Sequence, residues 1–583
     1  MKKTIFTILI LLLPASLFAQ WAIKMGGTNT DQGKSMVVDE SGNTYITGNF
    51  QGTADFDPGN GIYNLISNGA VDIYLAKYAP DGSFIWAKNI GGVNIDVANS
   101  IAIDGSGNLI ITGYFRSTVD FDPGNGTYNL SSIGQDDVFF AKYSPDGSLI
   151  WAKSFGGTSY DIGKSIFVDG SGNIYITGYF EATADFDPGP GTHTIINNSG
   201  GRDIYIAKYA SDGSFIWANG FGNTPWDFGN SIAADGNGNS YITGVFEGTV
   251  DFDPGAGIHN LTSNGSADIF FAKYSSDGSF IWAANFGGTS SDYGESVFID
   301  GSGNLYITGG FQGTADFDPS GVTQNLTSAG NLDIFFAKYS SDGSLIWANR
   351  VGGTDSDFGS SLVVDGNGNS YITGAFRDTV DFDHGSGTSN LISNGNYDIF
   401  FAKYAPNGNF IWANGIGGTS IDQGNSIAID ESGNIFVAGN FKYTVDFDPG
   451  IGTFNLTAGG STGSDDIFIA KYLPDGLLTD VDEIDNNIPI AFELNQNYPN
   501  PFNPTTKIRY TIPNVTLSGV EGSRVQLKIY DVLGNEIATL IDENKPAGSY
   551  EVNFDSGNLS NGVYFYKLQT GNFVDTKKMI LIK

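Results

Sequence analysis

The stretch TADFDPGNG, residues Thr53–Gly61, decides the fold because the same phrase returns along the whole chain. It comes back as TVDFDPGNG from Thr118, TADFDPGPG from Thr183 and TVDFDPGAG from Thr249, and three more copies follow. The first aspartate of the phrase stands at Asp55, Asp120, Asp185, Asp251, Asp316, Asp381 and Asp446, a step of 65 residues that is once 66. A period of this length is typical of an array of supersecondary units, none of which can bury its apolar face alone.

One repeat, from Ser100 to Gly156, contains four short apolar runs with the alternation of β-strands. SIAID and LIITGYF are joined by the turn residues GSGN, and DVFFAKYS and SLIWAKS are joined by PDG. We name these predicted strands a, b, c and d in chain order. Tyr, Phe, Ile and Val dominate them, and no helical period competes. A unit of four antiparallel strands that occurs seven times predicts an all-β fold, a seven-bladed β-propeller with four-stranded blades.

The order of the repeat words predicts how the ring closes. The first word is a d strand, QWAIK at Gln20–Lys24, and the last full word is a c strand, DIFIAKY at Asp466–Tyr472. The last blade therefore lacks its own d strand, and the N-terminal strand can complete it. Such closure removes two exposed sheet edges. On this interpretation the propeller spans residues 20–478 as seven repeats of about 65 residues.

Composition narrows the class of partner. The 583 residues include 28 basic and 63 acidic side chains, a net charge of -35, and 14% of the residues are aromatic. Nucleic acid is excluded as a partner because phosphate binding needs a cationic surface. The absence of cysteine excludes disulfides and thiolate metal sites, so packing must stabilise the fold.

The N-terminus reads MKKTIFTILILLLPASLFAQ, with two lysines before a short apolar run. The run is too short to span a bilayer, which predicts a cleaved signal peptide over residues 1–19 and no transmembrane segment in the mature chain. Residues 479–490 are acidic and polar and read as a linker. Residues 491–583 carry the alternating runs VQLKIYDVLG, GSYEVNF and GVYFYKLQ, which predict a small β-sandwich.

Two resemblances refine this organisation. The words SGNIYITGYF and DIYIAKYASDGSFIWA resemble the SBBP-type β-propeller repeat of bacterial exported proteins, over roughly Trp21 to Gly476, and that family implies no agreed activity. The words NYPNPFNP (Asn497–Pro504), LKIYDVLGNEI and LSNGVYFYKL closely resemble the type A C-terminal sorting domain of the type IX secretion system, an Ig-like β-sandwich. This second resemblance implies that the secretion machinery recognises residues 491–583. It also implies passage through the periplasm, removal of the domain, and a final location on the outer cell surface or outside the cell.

Each DFD phrase offers a pair of carboxylates. Asp55 and Asp57 would lie on one side of a strand, about 7 Å apart, with Phe56 pointing into the packing. Such a pair, near a third aspartate and backbone carbonyls, can hold Ca²⁺, which prefers oxygen ligands. The alternative is that the carboxylates cap N–H groups of the turn. The candidate calcium ligands are Asp55, Asp57, Asp120, Asp122, Asp185, Asp187, Asp251, Asp253, Asp316, Asp318, Asp381, Asp383, Asp446 and Asp448.

Signals for catalysis are weak. The chain has no nucleophile elbow, HExxH motif or phosphate loop, so no catalytic or cofactor-binding residue is assigned. The sequence favours a non-enzymatic binding or display protein. It would act through its acidic loop face, the face that carries the DFD loops, with a surface glycan or a protein as ligand. The alternative is a secreted carbohydrate-active enzyme with a cryptic site on that face, since paired carboxylates can cleave glycosides. Trp226 interrupts the repeat in one loop, where it can stack on a sugar ring or pack locally.

Overall fold

The computed structural model describes residues 21–197, 200–223, 226–450, 452–460, 463–474, 493–512, 523–545, 548–557, 559–570 and 573–583. The predicted signal peptide and linker lie outside these residues. The chain divides into two compact units, residues 1–479 and 480–583. Strands and turns make up the described part, in which no helix able to cross a bilayer occurs.

The strands of the first unit follow the repeat. They are β1 (Trp21–Gly27), β2 (Gln32–Val38), β3 (Thr44–Phe50), β4 (Thr53–Asp55), β5 (Asn64–Ile66), β6 (Asp72–Tyr78), β7 (Phe84–Ile90), β8 (Val97–Ile103), β9 (Leu109–Asp120), β10 (Asn129–Tyr143), β11 (Leu149–Gly157), β12 (Asp161–Val168), β13 (Ile174–Glu181), β14 (Thr183–Asp185), β15 (Thr194–Ile196), β16 (Arg202–Tyr209), β17 (Phe215–Phe221) and β18 (Phe228–Ala234). They continue as β19 (Ser240–Asp251), β20 (Asn260–Tyr274), β21 (Phe280–Phe286), β22 (Tyr293–Ile299), β23 (Leu305–Asp316), β24 (Asn325–Tyr339), β25 (Leu345–Val351), β26 (Phe358–Val364), β27 (Ser370–Phe376), β28 (Thr379–Asp381), β29 (Asn390–Ile392), β30 (Asp398–Tyr404), β31 (Phe410–Ile416), β32 (Gln423–Ile429), β33 (Ile435–Phe441), β34 (Thr444–Asp446), β35 (Asn455–Thr457) and β36 (Asp466–Tyr472).

Within the described residues of this unit, the strands build seven four-stranded antiparallel arrangements in the order a, b, c, d. Six are continuous in sequence: β2-β3-β6-β7, β8-β9-β10-β11, β12-β13-β16-β17, β18-β19-β20-β21, β22-β23-β24-β25 and β26-β27-β30-β31. The seventh is β32-β33-β36-β1, in which the first strand of the chain takes the d position. Its register runs from Trp21 opposite Lys471 to Met25 opposite Ile467.

The a–b turns show why the chain reverses where it does. Asp39 Oδ1 accepts the backbone N–H groups of Ser41 (2.9 Å) and Asn43 (2.8 Å). Gly42 has φ +80°, a conformation that a side chain disfavours. The same acceptor and glycine recur in each later repeat, so the DGSGN words are hairpin turns.

Hydrogen bonds from one strand a to the next connect the sheets. In each case a backbone N–H donates to a serine Oγ of the preceding sheet, as from Ile101 to Ser35 at 3.2 Å. The series continues with Ile166–Ser100, Ile232–Ser165, Val297–Ser231, Leu362–Ser296, Ile427–Ser361 and Met36–Ser426. Because the last bond returns to β2, the connections form a closed series.

The core of each sheet uses the phenylalanine of the DFD phrase. Phe56 is fully buried, and its carbonyl oxygen accepts a hydrogen bond of 2.9 Å from the hydroxyl of Tyr78, which is also fully buried. This bond joins the b–c segment to strand c. Equivalent bonds link Tyr143–Phe121, Tyr209–Phe186, Tyr274–Phe252, Tyr339–Phe317, Tyr404–Phe382 and Tyr472–Phe447.

The second unit contains two antiparallel sheets. Its strands are β37 (Glu493–Leu494), β38 (Thr505–Ile512), β39 (Ser523–Tyr530), β40 (Glu536–Lys545), β41 (Gly548–Asp555), β42 (Gly562–Thr570) and β43 (Phe573–Leu581). They form β37-β38-β41 and β40-β39-β42-β43. One hydrophobic core takes side chains from both sheets, including Ile508 and Tyr510 of the first and Leu527 and Tyr566 of the second.

Candidate functional site

The DFD segments use their aspartates to cap a turn. Asp55 Oδ1 accepts the N–H groups of Asp57 (3.0 Å) and Tyr63 (2.8 Å), and Asp57 Oδ1 accepts the N–H of Gly59 (2.9 Å). The same three bonds occur in all the other copies, with Asp120, Asp185, Asp251, Asp316, Asp381 and Asp446 as the double acceptors. The aspartates therefore cap turn N–H groups in every copy of the DFD phrase, which is the alternative to calcium binding.

Calcium binding by the same aspartates stays a prediction. Among the described residues, no three His, Asp or Glu side chains come together in a group that could hold a metal ion. Each DFD pair would have to complete a cation shell with backbone oxygens and water, since Ca²⁺ takes six to eight oxygen ligands.

A second set of aspartates, in the loops from strand d to strand a, is buried beneath the loop face. Asp31 Oδ2 accepts the N–H of Gly27 (2.8 Å), and its Oδ1 accepts the N–H of Gln51 (3.0 Å). Its own N–H donates to the carbonyl of Asp465 (2.8 Å), so one residue ties three chain segments together. The set, all fully buried, is Asp31, Asp96, Asp161, Asp227, Asp292, Asp357 and Asp422.

A third set of aspartates, at or near the start of strand c, lies against the second; Asp466, the first residue of β36, is one of them. A Cβ placed on Gly26 would lie 2.6 Å from Asp466 Oδ1 and 3.1 Å from Asp31 Oδ2, so the two carboxylates converge on this glycine. Burial raises the pKa of Asp31 to about 7 and that of Asp161 to about 8, and neighbouring carboxylates add to the rise. The sequence gives no sign that these aspartates are buried, because residues in and beside loops are usually solvated.

Trp226 belongs to a cluster of aromatic and charged side chains. Its indole is 55% exposed and lies edge to face with Phe228, at 5.7 Å between ring centroids. The guanidinium carbon of Arg202 lies 5.3 Å from the indole centroid and 4.7 Å from the ring of Tyr179. Arg202 Nε also pairs with Glu181 Oε1 at 3.2 Å. These contacts hold the indole in place while leaving much of it open to solvent.

The preceding repeat carries a related cluster. Tyr160 occupies the position of Trp226 and is 38% exposed, and Arg116 lies 5.7 Å from its ring centroid. Arg116 Nε pairs with Asp136 Oδ1 at 2.7 Å. Bridges of parallel type, Asp136 to Tyr160 and Arg202 to Trp226, place the two clusters in equivalent positions. We name six residues of the two clusters the aromatic arc: Arg116, Asp136, Tyr160, Glu181, Arg202 and Trp226.

The aromatic arc breaks the symmetry of the repeat. At the position of Trp226 the other repeats carry Thr30, Ile95, Tyr160, Ser291, Ser356 and Ile421. Sequence reasoning found Trp226 but missed Arg116 and Arg202, because each lies 24 or more residues from its aromatic partner. The sequence does carry a signal for Arg202, because the equivalent position holds Val71 in one repeat and Ala267 in another.

Comparison with protein-family models gives two matches. The model described as "Secretion system C-terminal sorting domain" matches residues 496–583. The model described as "Beta-propeller repeat" (SBBP) matches residues 20–52, 150–179, 221–245, 346–375 and 411–440.

Curated relatives are longer than this chain. An uncharacterized WD repeat-containing protein, L264, of Acanthamoeba polyphaga mimivirus is 26% identical over 498 residues, covering 72% of this chain and 36% of its own length. The regulatory protein FlaEY of Caulobacter vibrioides is 25% identical over 338 residues, covering 55% of this chain and 34% of its own. The chain thus spans about a third of the length of these relatives.

Two solved structures were also matched. PorZ, described as an essential bacterial surface component of the type-IX secretion system of Porphyromonas gingivalis, is 12% identical with a TM-score of 0.17, and the match covers 96% of this chain and 100% of PorZ. A tetra-tandem repeat from the extending region of a large adhesion protein is 12% identical with a TM-score of 0.12, covering 94% and 99%.

Proposed function

We propose a function for a chain that carries SBBP β-propeller repeats and a type IX secretion C-terminal sorting domain, and that is therefore exported to the cell surface or secreted. It acts there as a non-enzymatic binding protein, and its ligand is a glycan held at the aromatic arc.

The proposed scaffold is a seven-bladed β-propeller over residues 20–478, closed by the N-terminal strand. Three observations support it: the four-stranded arrangements, the position of β1 beside β36, and the series of Ser–amide bonds that returns to β2. Residues 491–583 form an Ig-like β-sandwich in this proposal, supported by their two sheets and shared core. Residues 1–19 are a signal peptide and residues 479–490 a linker.

The observation that carries the binding function is the exposed but held indole of Trp226. An aromatic face open to solvent can stack on the apolar face of a sugar ring. Beside it, the Arg202–Glu181 pair offers planar donors and acceptors to the hydroxyl groups of a sugar. Tyr160 with Arg116 and Asp136 repeats this arrangement one unit away, which suits a ligand with more than one sugar residue.

The arc favours binding over catalysis. Its two carboxylates, those of Asp136 and Glu181, are each paired with an arginine. Each carboxylate is thus engaged by a guanidinium, whereas an acid–base pair for glycoside cleavage must be open to the scissile bond.

The test is a glycan array with the full chain, followed by titration calorimetry with the glycans that bind. Trp226→Ala should lower affinity about fivefold or more, since a stacked ring contributes on the order of 1 kcal/mol or more. Tyr63→Ala is the matched control, because Tyr63 is 40% exposed on a loop outside the arc. Equal losses from both changes, or an array without binding, would reject the arc as a glycan site.

A further inference from the structure

A chain of contacts joins the two halves of the aromatic arc. Ser159, which precedes Tyr160 in the loop after β11, donates from its hydroxyl to Glu181 Oε2 at 2.8 Å. The other oxygen of this carboxylate, Oε1, accepts from Arg202 Nε at 3.2 Å, and Arg202 lies over the indole of Trp226. Glu181 therefore contacts both the loop that carries Tyr160 and the arginine that holds Trp226.

The backbone of Glu181 is fixed as well. Glu181 ends β13, where it pairs with Arg202, the first residue of β16. Its N–H donates to the carboxylate of the buried Asp161 at 3.3 Å, and Asp161 directly follows Tyr160 in the chain. The side chain and the backbone of one residue thus fix the positions of both aromatic rings.

The two rings lie one sheet apart. Tyr160 is in the loop before β12, and Trp226 is in the loop before β18. These two strands a are neighbours, because the backbone N–H of Ile232 in β18 donates to Ser165 Oγ in β12 at 3.3 Å. Both rings are partly exposed beside the starts of neighbouring strands, so one chain-like ligand can contact both.

Charge within the arc is balanced. Arg116 is paired with Asp136 and Arg202 with Glu181, so two guanidinium groups meet two carboxylates. An acidic sugar would have to compete with these carboxylates for the arginines, and the net charge of -35 opposes its approach. An uncharged sugar meets neither cost. Its hydroxyl groups can accept from guanidinium N–H groups and donate to carboxylate oxygens at the same time.

We propose that the arc binds an uncharged, linear oligosaccharide that spans Tyr160 and Trp226, and that Glu181 is the positioning residue that holds the two rings for one ligand. This inference rests on the proposed glycan function and adds the class and the length of the ligand. Contact with the second ring is then intramolecular, so a sugar chain that reaches both rings binds more tightly than one that reaches a single ring. The gain requires rings held at a fixed separation, because ordering a mobile site on binding costs free energy.

The test is titration calorimetry of the full chain with cello-, manno- and xylo-oligosaccharides, each as disaccharide and hexasaccharide, and with hexagalacturonate as the acidic probe. We expect at least one neutral hexasaccharide to bind about tenfold or more tightly than its disaccharide. Hexagalacturonate should bind more weakly than that hexasaccharide. Tyr160→Ala and Trp226→Ala should each remove most of the gain from length.

Two variants of Glu181 separate its positioning role from its charge. Glu181→Ala breaks both side-chain contacts and should lower the affinity for the neutral hexasaccharide about fivefold. The disaccharide should change little, because each ring keeps its own arginine. Glu181→Gln keeps an acceptor for Arg202 and a polar group for Ser159, so it should bind the neutral hexasaccharide as the native protein does. Because it leaves one arginine uncompensated, it should also strengthen the binding of hexagalacturonate.

Arg377→Ala is the matched control. Arg377 occupies the position of Glu181 in another repeat and pairs with Asp355, which occupies the position of Ser159, so this variant should leave all the affinities unchanged. Equal effects of Glu181→Ala and Arg377→Ala, neutral hexasaccharides that bind no better than disaccharides, or tightest binding of hexagalacturonate by the native protein would overturn the proposal. Acidic or short glycans whose binding Trp226→Ala weakens would leave the glycan site standing and reject only a neutral, spanning ligand.

Discussion

The backbone nitrogen of Met36 lies 3.1 Å from the Oγ of Ser426, 390 residues further along the chain. This bond joins strand a of the first repeat to strand a of the last. Together with the pairing of β1 and β36, it gives the first and last repeats two independent contacts. Both contacts have the same form as the corresponding contacts elsewhere in the unit.

Deleting β1, residues 21–27, should cause aggregation or a large loss of stability, because it leaves the edge of β36 unpaired and removes the buried ring of Trp21. Light scattering after size-exclusion chromatography and thermal denaturation measure the effect. Trp21→Ala is the companion variant: it loses the Nε1 bond to Pro80 O but keeps the strand, so it should melt lower and stay monomeric. A monomeric deletion variant with unchanged melting temperature would contradict closure by β1.

Stability should fall as the pH rises from about 5 to about 8. Burial raises the pKa of Asp31, Asp292 and Asp357 to about 7 from the 3.8 of an unfolded chain. In this window the folded protein holds protons that the unfolded chain has released, so raising the pH favours unfolding. Calorimetry at constant ionic strength should find a melting temperature several degrees higher at pH 5.5 than at pH 8.

Matched variants can assign this pH dependence. Asp161, whose pKa burial raises to about 8, faces Asp137 and Glu181, and Asp161→Asn should flatten the slope because the amide does not titrate. Asp146 lies on an exposed turn where the Ser144 hydroxyl lowers its pKa, so Asp146→Asn should leave the slope unchanged. A melting temperature that rises toward pH 8 in the native sequence would mean that the buried carboxyl groups are ionised in the folded protein.

Asp55→Ala should destabilise the first repeat by about 1–2 kcal/mol, because it removes the acceptor for two turn N–H groups. Asp55→Asn should cost much less, since the amide oxygen can accept the same bonds. Denaturant unfolding compares the two variants. Equal destabilisation would show that the charge of Asp55, rather than its acceptor geometry, stabilises the turn.

Calcium at the DFD pairs is tested by thermal denaturation in calcium chloride and in sodium chloride of equal ionic strength. We expect millimolar calcium to raise the melting temperature further, since a ligand of the folded state stabilises by mass action while sodium chloride only screens. Replacing both aspartates of several DFD pairs by asparagine should remove the difference between the two salts. The turn caps should remain, because the amide oxygen can accept the same bonds. If the two salts act alike in the native sequence, the aspartates serve as caps alone.

Export predicts a defined mature chain. Mass spectrometry of the surface or secreted protein should find an N-terminus at Gln20 and no peptides from residues 495–583, if export removes both the signal peptide and the sorting domain. The protein from a strain lacking the secretion machinery serves as the reference. Surface protein that keeps the peptide around Tyr566 would contradict removal of the domain.

The repeat could be predicted from sequence because strands and turns obey local rules. Alternation assigned strands a to d, the Asp-Gly turns fixed their ends, and the leftover strand at Trp21 pointed to its partner. The bulge at Lys34, where the pairing of β2 with β3 shifts by one residue, could not be found this way, because one extra residue changes the period on which the assignment depends. The contact of Arg202 with Trp226 was missed for another reason: it joins the first residue of β16 to the loop before β18, and no periodicity along the chain relates the two positions.

The four-stranded arrangements and the sequence repeat are out of phase by one strand, since each tryptophan-to-tryptophan repeat begins with the d strand of one sheet and continues into the next. Loss or gain of one whole repeat during replication would therefore leave a leading d strand and a final sheet that still needs it. Such a change would alter the number of sheets without creating an unmatched end. In the proposed propeller, the number of sheets would then be limited by how closely the neighbouring strands a can pack.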